Sequence, residues 1–111
     1  MANTFTRKLS SAIGTTAVDI GSYTVGVNTT TVVVGLSVTN RTGSAVTANV
    51  FIRDVGAANT YVVTNAPVSS GSALVVGGGD QKLVLIEGDT VFVQSSASSS
   101  LDAVMSIMEI T

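Results

Sequence analysis

Histidine and cysteine are both absent from this chain of 111 residues. Their absence removes the commonest general base, the usual nucleophile–base pairs and the usual zinc ligands. The seven acidic and five basic residues remain as candidates for chemistry. Asp54, Asp80, Asp89 and Asp102 fall in predicted loops or at strand ends, where aspartate commonly accepts hydrogen bonds from backbone N–H groups. We therefore predict turn-forming aspartates and no enzymatic activity.

A calcium site at Asp80 or Asp89 is the main alternative, because oxygen ligands suffice for Ca²⁺. No EF-hand or other calcium-loop signature surrounds either residue. The Gly-Gly-Gly-Asp run at 77–80 also invites comparison with a phosphate loop. That loop requires a lysine and a Ser or Thr at fixed spacing before a helix, and a strand pattern follows here instead. We expect a flexible turn, no metal and no cofactor.

The elements that position these residues are short segments rich in Val, Thr and Ser, separated by Gly, Asn, Asp and Ser. Many short strands at a spacing near ten residues predict an all-β fold, a single antiparallel β-sandwich of about eight or nine strands, jelly-roll-like or immunoglobulin-like. The predicted strands lie near Phe5–Leu9, Thr15–Ile20, Thr31–Asn40, Ala45–Asp54, Thr60–Thr64, Ala73–Val76, Lys82–Ile86, Thr90–Ser95 and Leu101–Ile110.

Two alternating segments flank the Gly-containing loop at 40–44. Alternation of this kind on both sides of a short turn predicts a β-hairpin between the third and fourth strands. The same alternation assigns the inward-facing side chains. The predicted core consists of Val32, Val34, Leu36, Val38, Val50, Ile52, Leu83, Leu85, Val91, Val93, Met105 and Ile107.

The last predicted strand is apolar on both faces. Met105 and Ile107 belong to one face, and Val104 and Met108 belong to the other. A strand of this kind is covered on both sides, by the core on one and, we expect, by a neighbouring subunit on the other. The candidate interface residues are Phe5, Arg7, Leu9, Tyr61, Val104 and Met108.

Composition restricts the classes of partner. The chain is 45% hydrophobic and only 11% charged, against about 25% charged in ordinary domains. Its longest apolar runs are three or four residues, whereas a membrane span needs about 20. The net charge of −2 disfavours general nucleic-acid binding. The start lacks a long apolar region, so we expect a cytosolic chain that gains solubility by association with protein partners.

The length predicts one domain overall, with residues 1–20 as an N-terminal arm or the first strands and residues 21–111 as the sandwich. The stretch from Val33 to Val50, VVGLSVTNRTGSAVTANV, resembles small virion structural proteins of tailed bacteriophages. The order of the similar pieces and the short length carry the resemblance, which covers roughly Ser22 to the C-terminus. The later pieces are Ala66-Pro67-Val68 leading to Gly71-Ser72, Lys82-Leu83-Val84-Leu85 leading to Gly88-Asp89, and Leu101-Asp102 through Ile107-Met108-Glu109-Ile110.

The resemblance implies a non-enzymatic virion protein, assembled in the host cytoplasm. The leading hypothesis is a capsid decoration (cement) protein that binds the major capsid protein at capsomer junctions. It would act as a homo-oligomer, with a trimer favoured. A component of the tail, neck or a fibre is the alternative. A carbohydrate- or receptor-binding module is more distant, because two Tyr, three Phe and no Trp offer few aromatic platforms.

Overall fold

The computed structural model describes residues 3–77 and 82–111 and places nine strands within them. All pair antiparallel in two sheets, which confirms the predicted all-β sandwich. The strands are β1 (Asn3–Ile13), β2 (Val18–Thr24), β3 (Thr30–Asn40), β4 (Val46–Arg53), β5 (Asn59–Val68), β6 (Ala73–Gly77), β7 (Leu83–Leu85), β8 (Thr90–Ser95) and β9 (Leu101–Ile110).

The strand order is that of a jelly roll. The first sheet runs β1-β9-β3-β6, with β7 also pairing β3, and the second sheet runs β2-β8-β4-β5. β6 pairs residues 36–39 of β3 and β7 pairs residues 31–33, so the two form one interrupted edge strand. An immunoglobulin fold would keep its first two strands in one sheet, whereas β1 and β2 lie in different sheets here.

The predicted hairpin between β3 and β4 is wrong, because these strands lie in different sheets. Their connection crosses the end of the sandwich and is held by the buried side chain of Asn40. The Asn40 amide donates to the carbonyls of Ser44 (2.8 Å) and Val68 (3.0 Å), and its oxygen accepts the Thr42 N–H at 2.9 Å. Alternation in both strands is equally compatible with pairing side by side and with facing each other across a core.

The core lies between the sheets and contains most of the predicted residues. Leu36, Val38, Met105 and Ile107 are each at most 1% exposed. Ile52 and Leu83 are partly buried and pack against this core. Other buried side chains in the same cluster are Ile13, Ile20, Val33, Val46, Val50, Val68, Leu85, Val91, Val93 and Leu101.

The prediction is wrong for Val32 and Val34, because a β-bulge reverses the alternation at this point. Val33 pairs with Ile107, but the next pair is Gly35 with Ser106, so Val34 is an extra residue. A bulge shifts every earlier side chain of the strand to the opposite face. Val33 is therefore fully buried, whereas Val34 is 36% exposed.

A matched pair of substitutions tests the bulge. Val33→Thr is expected to lower the free energy of unfolding by about 1–3 kcal/mol, because it buries a hydroxyl without a compensating hydrogen bond. Val34→Thr is expected to change it by no more than about 0.5 kcal/mol. Chemical denaturation of both variants measures the difference. A larger loss at Val34 than at Val33 would contradict the bulge.

Strand β1 and the start of β2 account for most of residues 3–20 and are joined to the rest of the sandwich. β1 pairs with β9 from Asn3 opposite Ile110 to Ile13 opposite Leu101. β1 also approaches β2 closely at Gly21, which has a φ of 60° and where an added Cβ would lie 2.7 Å from the Cβ of Lys8. Glycine is required there both for its backbone conformation and for the contact. Within the described residues no helix has the length and apolar character to cross a membrane.

Candidate interaction surfaces

The outward side of the first sheet, which we call the apolar face, carries five of the six candidate interface residues. Strand β9 directs Met105 and Ile107 into the core and Val104 and Met108 outward, as predicted. Phe5 pairs with Met108 and Leu9 with Val104. Side chains of directly paired residues point to the same side of a sheet. The strand pairing therefore brings together Phe5, Arg7, Leu9, Val104 and Met108.

Two apolar rows cross the apolar face in strand register. The first row runs Phe5, Met108, Val32 and Val84 over β1, β9, β3 and β7. Phe5 is 73% exposed and Val84 62%. The second row runs Leu9, Val104, Ser37 and Val75 over β1, β9, β3 and β6.

A row of polar and small residues separates the two apolar rows. This central row consists of Arg7, Ser106 and Gly35, which pair across β1, β9 and β3. A shallow groove of about 470 Å³ follows it, lined by Phe5, Arg7, Val34 and Ser106 among others. The apolar face is therefore a trench between two apolar ridges.

Within residues 3–77 and 82–111, two places on the apolar face carry charge. Arg41 pairs with Asp102 at 3.3 Å at one end of the sheet. Arg7 is exposed in the central row and has no hydrogen-bond or ion-pair partner within residues 3–77 and 82–111. An unpaired cation thus stands between two rows of exposed apolar side chains.

Tyr61 lies on the opposite side of the molecule, so it cannot share a surface with the other five candidates. It belongs to the aromatic row, which consists of Phe92, Phe51 and Tyr61 on β8, β4 and β5. Phe51 stacks on Phe92 at a centroid distance of 5.2 Å and contacts Tyr61 at 5.0 Å. Asp19 pairs with Phe92 and continues this row onto β2.

Arg53 covers part of the aromatic row. Its guanidinium lies 4.3 Å from the centroid of Phe92, a cation–π contact. Its Nε–H donates to the side-chain oxygen of Asn59 at 2.8 Å. Phe51 is only 3% exposed as a result of this packing, whereas Tyr61 is 49% exposed.

Three of the aspartates singled out from the sequence accept backbone hydrogen bonds. Asp54 accepts from Gly56 at 2.9 Å, Asp89 from Ile86 at 2.9 Å, and Asp102 from Ala12 at 2.9 Å. The prediction for Asp80 and most of the glycine run lies outside the described residues. In the part of the chain that the structure describes, no three acidic side chains are grouped closely enough to hold a metal ion.

A small polar cluster closes one end of the core. The Tyr23 hydroxyl donates to Glu109 Oε2 at 2.7 Å and is bonded to the Thr31 hydroxyl at 2.6 Å. Lys8 Nζ lies 5.0 Å from the centre of the Tyr23 ring. Burial raises the pKa of Tyr23 above its ordinary value of 10.0. The Thr31 hydrogen bond acts in the opposite direction, and the Glu109 carboxylate adds to the increase.

This raised pKa predicts a loss of stability in alkali. An unfolded tyrosine ionises near pH 10, whereas the folded protein keeps Tyr23 neutral there, so the free energy of unfolding falls as pH rises above about 10. Tyr23→Phe is expected to cost about 1–2 kcal/mol at pH 7. The gap between the two proteins should narrow in urea titrations as the pH rises above about 10. A constant gap would show that Tyr23 does not resist ionisation.

Sequence reasoning missed the four valines that complete the apolar face. Val32 and Val34 were assigned to the core, and Val75 and Val84 were not singled out. Gly35 was the available signal, since an isolated glycine within a strand pattern commonly marks a bulge. The exposure of the other two follows from their place on the edge strand formed by β6 and β7.

No protein-family model and no curated protein matches the sequence. Among solved structures, a chain of infectious bursal disease virus Gx strain aligns with a TM-score of 0.54 and 11% identity, over 97% of this chain and 32% of the viral one. A chain of the T13 particle of the same virus gives 0.53 and 10%, over 96% and 30%. This chain thus spans about a third of those viral chains.

The Drosophila NLP core aligns with a TM-score of 0.53 and 10% identity, over 97% of this chain and 99% of the other. That structure concerns pentamer formation and histone binding. None of these three structures comes from a tailed bacteriophage. At such low identity, the likeness extends to the fold alone.

Proposed function

We propose that this protein is a non-enzymatic structural subunit of a virus particle, and that it is held there through its apolar face. The observation that carries the proposal is the pair of apolar rows that cross the first sheet. A single soluble domain rarely exposes so continuous an apolar surface, and such surfaces mark contacts with other proteins. Burial of this surface would supply the favourable free energy of association.

Three further observations support a role in assembly. The jelly roll recurs in viral capsid domains, and chains of the infectious bursal disease virus particle share this fold. The Drosophila NLP core, which this chain matches over nearly its whole length, forms pentamers. The resemblance of residues 33–50 and the later pieces to small phage virion proteins narrows the proposal to a capsid decoration protein, with the tail, neck or a fibre as the alternative position.

The proposed absence of catalysis rests on how the acidic residues are used. Asp54, Asp89 and Asp102 accept backbone hydrogen bonds, and Glu109 accepts from Tyr23. Glu87 accepts from the N–H of Asn28 at 3.0 Å. Carboxylates committed to structural hydrogen bonds are poor candidates for a general base.

The aromatic row is the one observation that favours a carbohydrate-binding module. It places three of the five aromatic residues of the chain side by side. However, Phe51 is buried and Arg53 lies over Phe92, so only Tyr61 presents an open ring. A glycan needs exposed aromatic faces for stacking, and we therefore rank this function second.

Quantitative mass spectrometry of virus particles purified from cells that produce this protein tests the proposal. A decoration protein is expected at hundreds of copies per particle, whereas a tail, neck or fibre component is expected at a few dozen or fewer. Absence from washed, infectious particles would refute the structural role. Retention only in the presence of a free glycan receptor would favour the binding module instead.

A further inference from the structure

We propose that copies of this chain associate head to tail, the apolar face of one copy packing on the aromatic row of the next, with Arg7 of the first paired to Asp19 of the second. The inference rests on the proposed function, because it names the occupant of the apolar face as a second copy. Charge carries it, and the matching spacing of the two rows supports it.

Among the charged side chains that the structure describes, one cation and one anion have no hydrogen-bond, ion-pair or cation–π partner within that part of the chain. Every described acidic side chain except Asp19 accepts a hydrogen bond within the chain. Among the described basic residues, Lys8 and Arg53 lie over aromatic rings, Arg41 pairs with Asp102, and Lys82 has a contact of its own. Arg7 and Asp19 have no such partner in residues 3–77 and 82–111.

Arg7 and Asp19 cannot pair with each other within one molecule. Arg7 projects from the outward side of the first sheet, in register with Ser106. Asp19 is opposite Phe92, between the inward-facing Val18 and Ile20, and so projects from the outward side of the second sheet. The sandwich separates them, and only a second copy can bring them together.

A contact between two apolar faces would be poorly matched in charge. It would enclose two Arg7 side chains between apolar rows, while Asp102, the acidic group that the described residues place on that face, is already bound by Arg41. An uncompensated charge in a dry interface is strongly unfavourable. The occupant of the apolar face must therefore bring a carboxylate, and the aromatic row ends in one.

The two surfaces also match in spacing. The members of the aromatic row lie on adjacent strands, as do Arg7, Ser106 and Gly35 of the central row of the apolar face. Strands are about 4.8 Å apart in any sheet, so the two rows have the same spacing. Within the aromatic row, the half-exposed Tyr61 ring would contact the apolar side chains of the facing copy, because Phe51 is buried and Arg53 covers Phe92.

The strand order in the sandwich places the charges at matching ends. β1 contacts β2 at one edge, where the N–H of Gly21 donates to the Ser10 hydroxyl at 2.9 Å, and β5 contacts β6 at the other. In a stack of sandwiches that keep the same orientation, β2 lies over β1, β8 over β9 and β4 over β3. Asp19 then lies on the strand that carries Arg7. Such a head-to-tail contact builds a ring when its rotation closes and a helical filament when it does not.

Charge reversal tests the pairing. Arg7→Glu and Asp19→Arg are each expected to raise the dissociation constant of self-association at least about 100-fold, because each sets like charges against each other. A variant that carries both Arg7→Glu and Asp19→Arg should associate like the wild type, since every contact then joins opposite charges. Sedimentation velocity measures association, and circular dichroism checks that each variant is folded.

The outcomes separate this inference from the proposed function. Wild-type association in Asp19→Arg alone would overturn the pairing, as would failure of the double variant to associate. A wild-type chain that is monomeric at all concentrations would also overturn it. The copy number in particles tests the structural role separately, whatever the result of the charge-reversal experiment.

Discussion

Met108→Asp is expected to abolish self-association while the domain stays folded. Met108 lies in the first apolar row between Phe5 and Val32, so an aspartate there would place an uncompensated charge in the dry contact. A buried unpaired charge typically costs about 3–5 kcal/mol, enough to raise a dissociation constant more than 100-fold. The core loses nothing, because Met105 and Ile107 fill it from the other side of β9. Light scattering measures the mass, and thermal unfolding measures the fold.

Val27→Asp is the matched control. Val27 is 74% exposed in the loop between β2 and β3, away from both sheet surfaces, and its replacement should leave the mass unchanged. Equal association of Met108→Asp and wild type would place the interface elsewhere. Unfolding of Met108→Asp would show instead that the apolar face is part of the protein's own core.

Leu36→Ala and Ile107→Ala are each expected to lower the free energy of unfolding by about 2–5 kcal/mol. Both side chains are 1% exposed and lie between the sheets, on β3 and β9. Each substitution removes buried apolar surface and leaves a cavity that rigid strands fill poorly. A loss of this size is a large part of the stability of a domain of about a hundred residues. Urea unfolding at concentrations below those of self-association measures it.

Val75→Ala provides the comparison for these core variants. Val75 is 72% exposed on the edge strand, so its truncation should change the free energy of unfolding by no more than about 0.5 kcal/mol. A loss below 1 kcal/mol at both Leu36 and Ile107 would mean that the two faces of the sheets are assigned the wrong way round.

The candidate surface shows which side-chain directions can be predicted from the alternation of residues along a strand and which cannot. The alternation in β9 was sufficient to assign Val104 and Met108 outward, because the side-chain period of a strand is fixed at two. The same rule failed at Val34, where one extra residue in β3 shifted the period. Tyr61 was grouped with the apolar face on residue type alone, and its strand belongs to the other sheet.

The sequence by itself determined the approximate positions of nine strands, the absence of histidine and cysteine chemistry, and the presence of apolar side chains on both faces of β9. Only the tertiary structure decided that β3 and β4 face each other across the core, that the aromatic row forms on the second sheet, and that Arg7 and Asp19 lie on opposite sides. The physical reason is that a strand's side chains specify which face is buried. Its backbone hydrogen-bonding groups are the same at nearly every residue, so they do not specify which strand completes them.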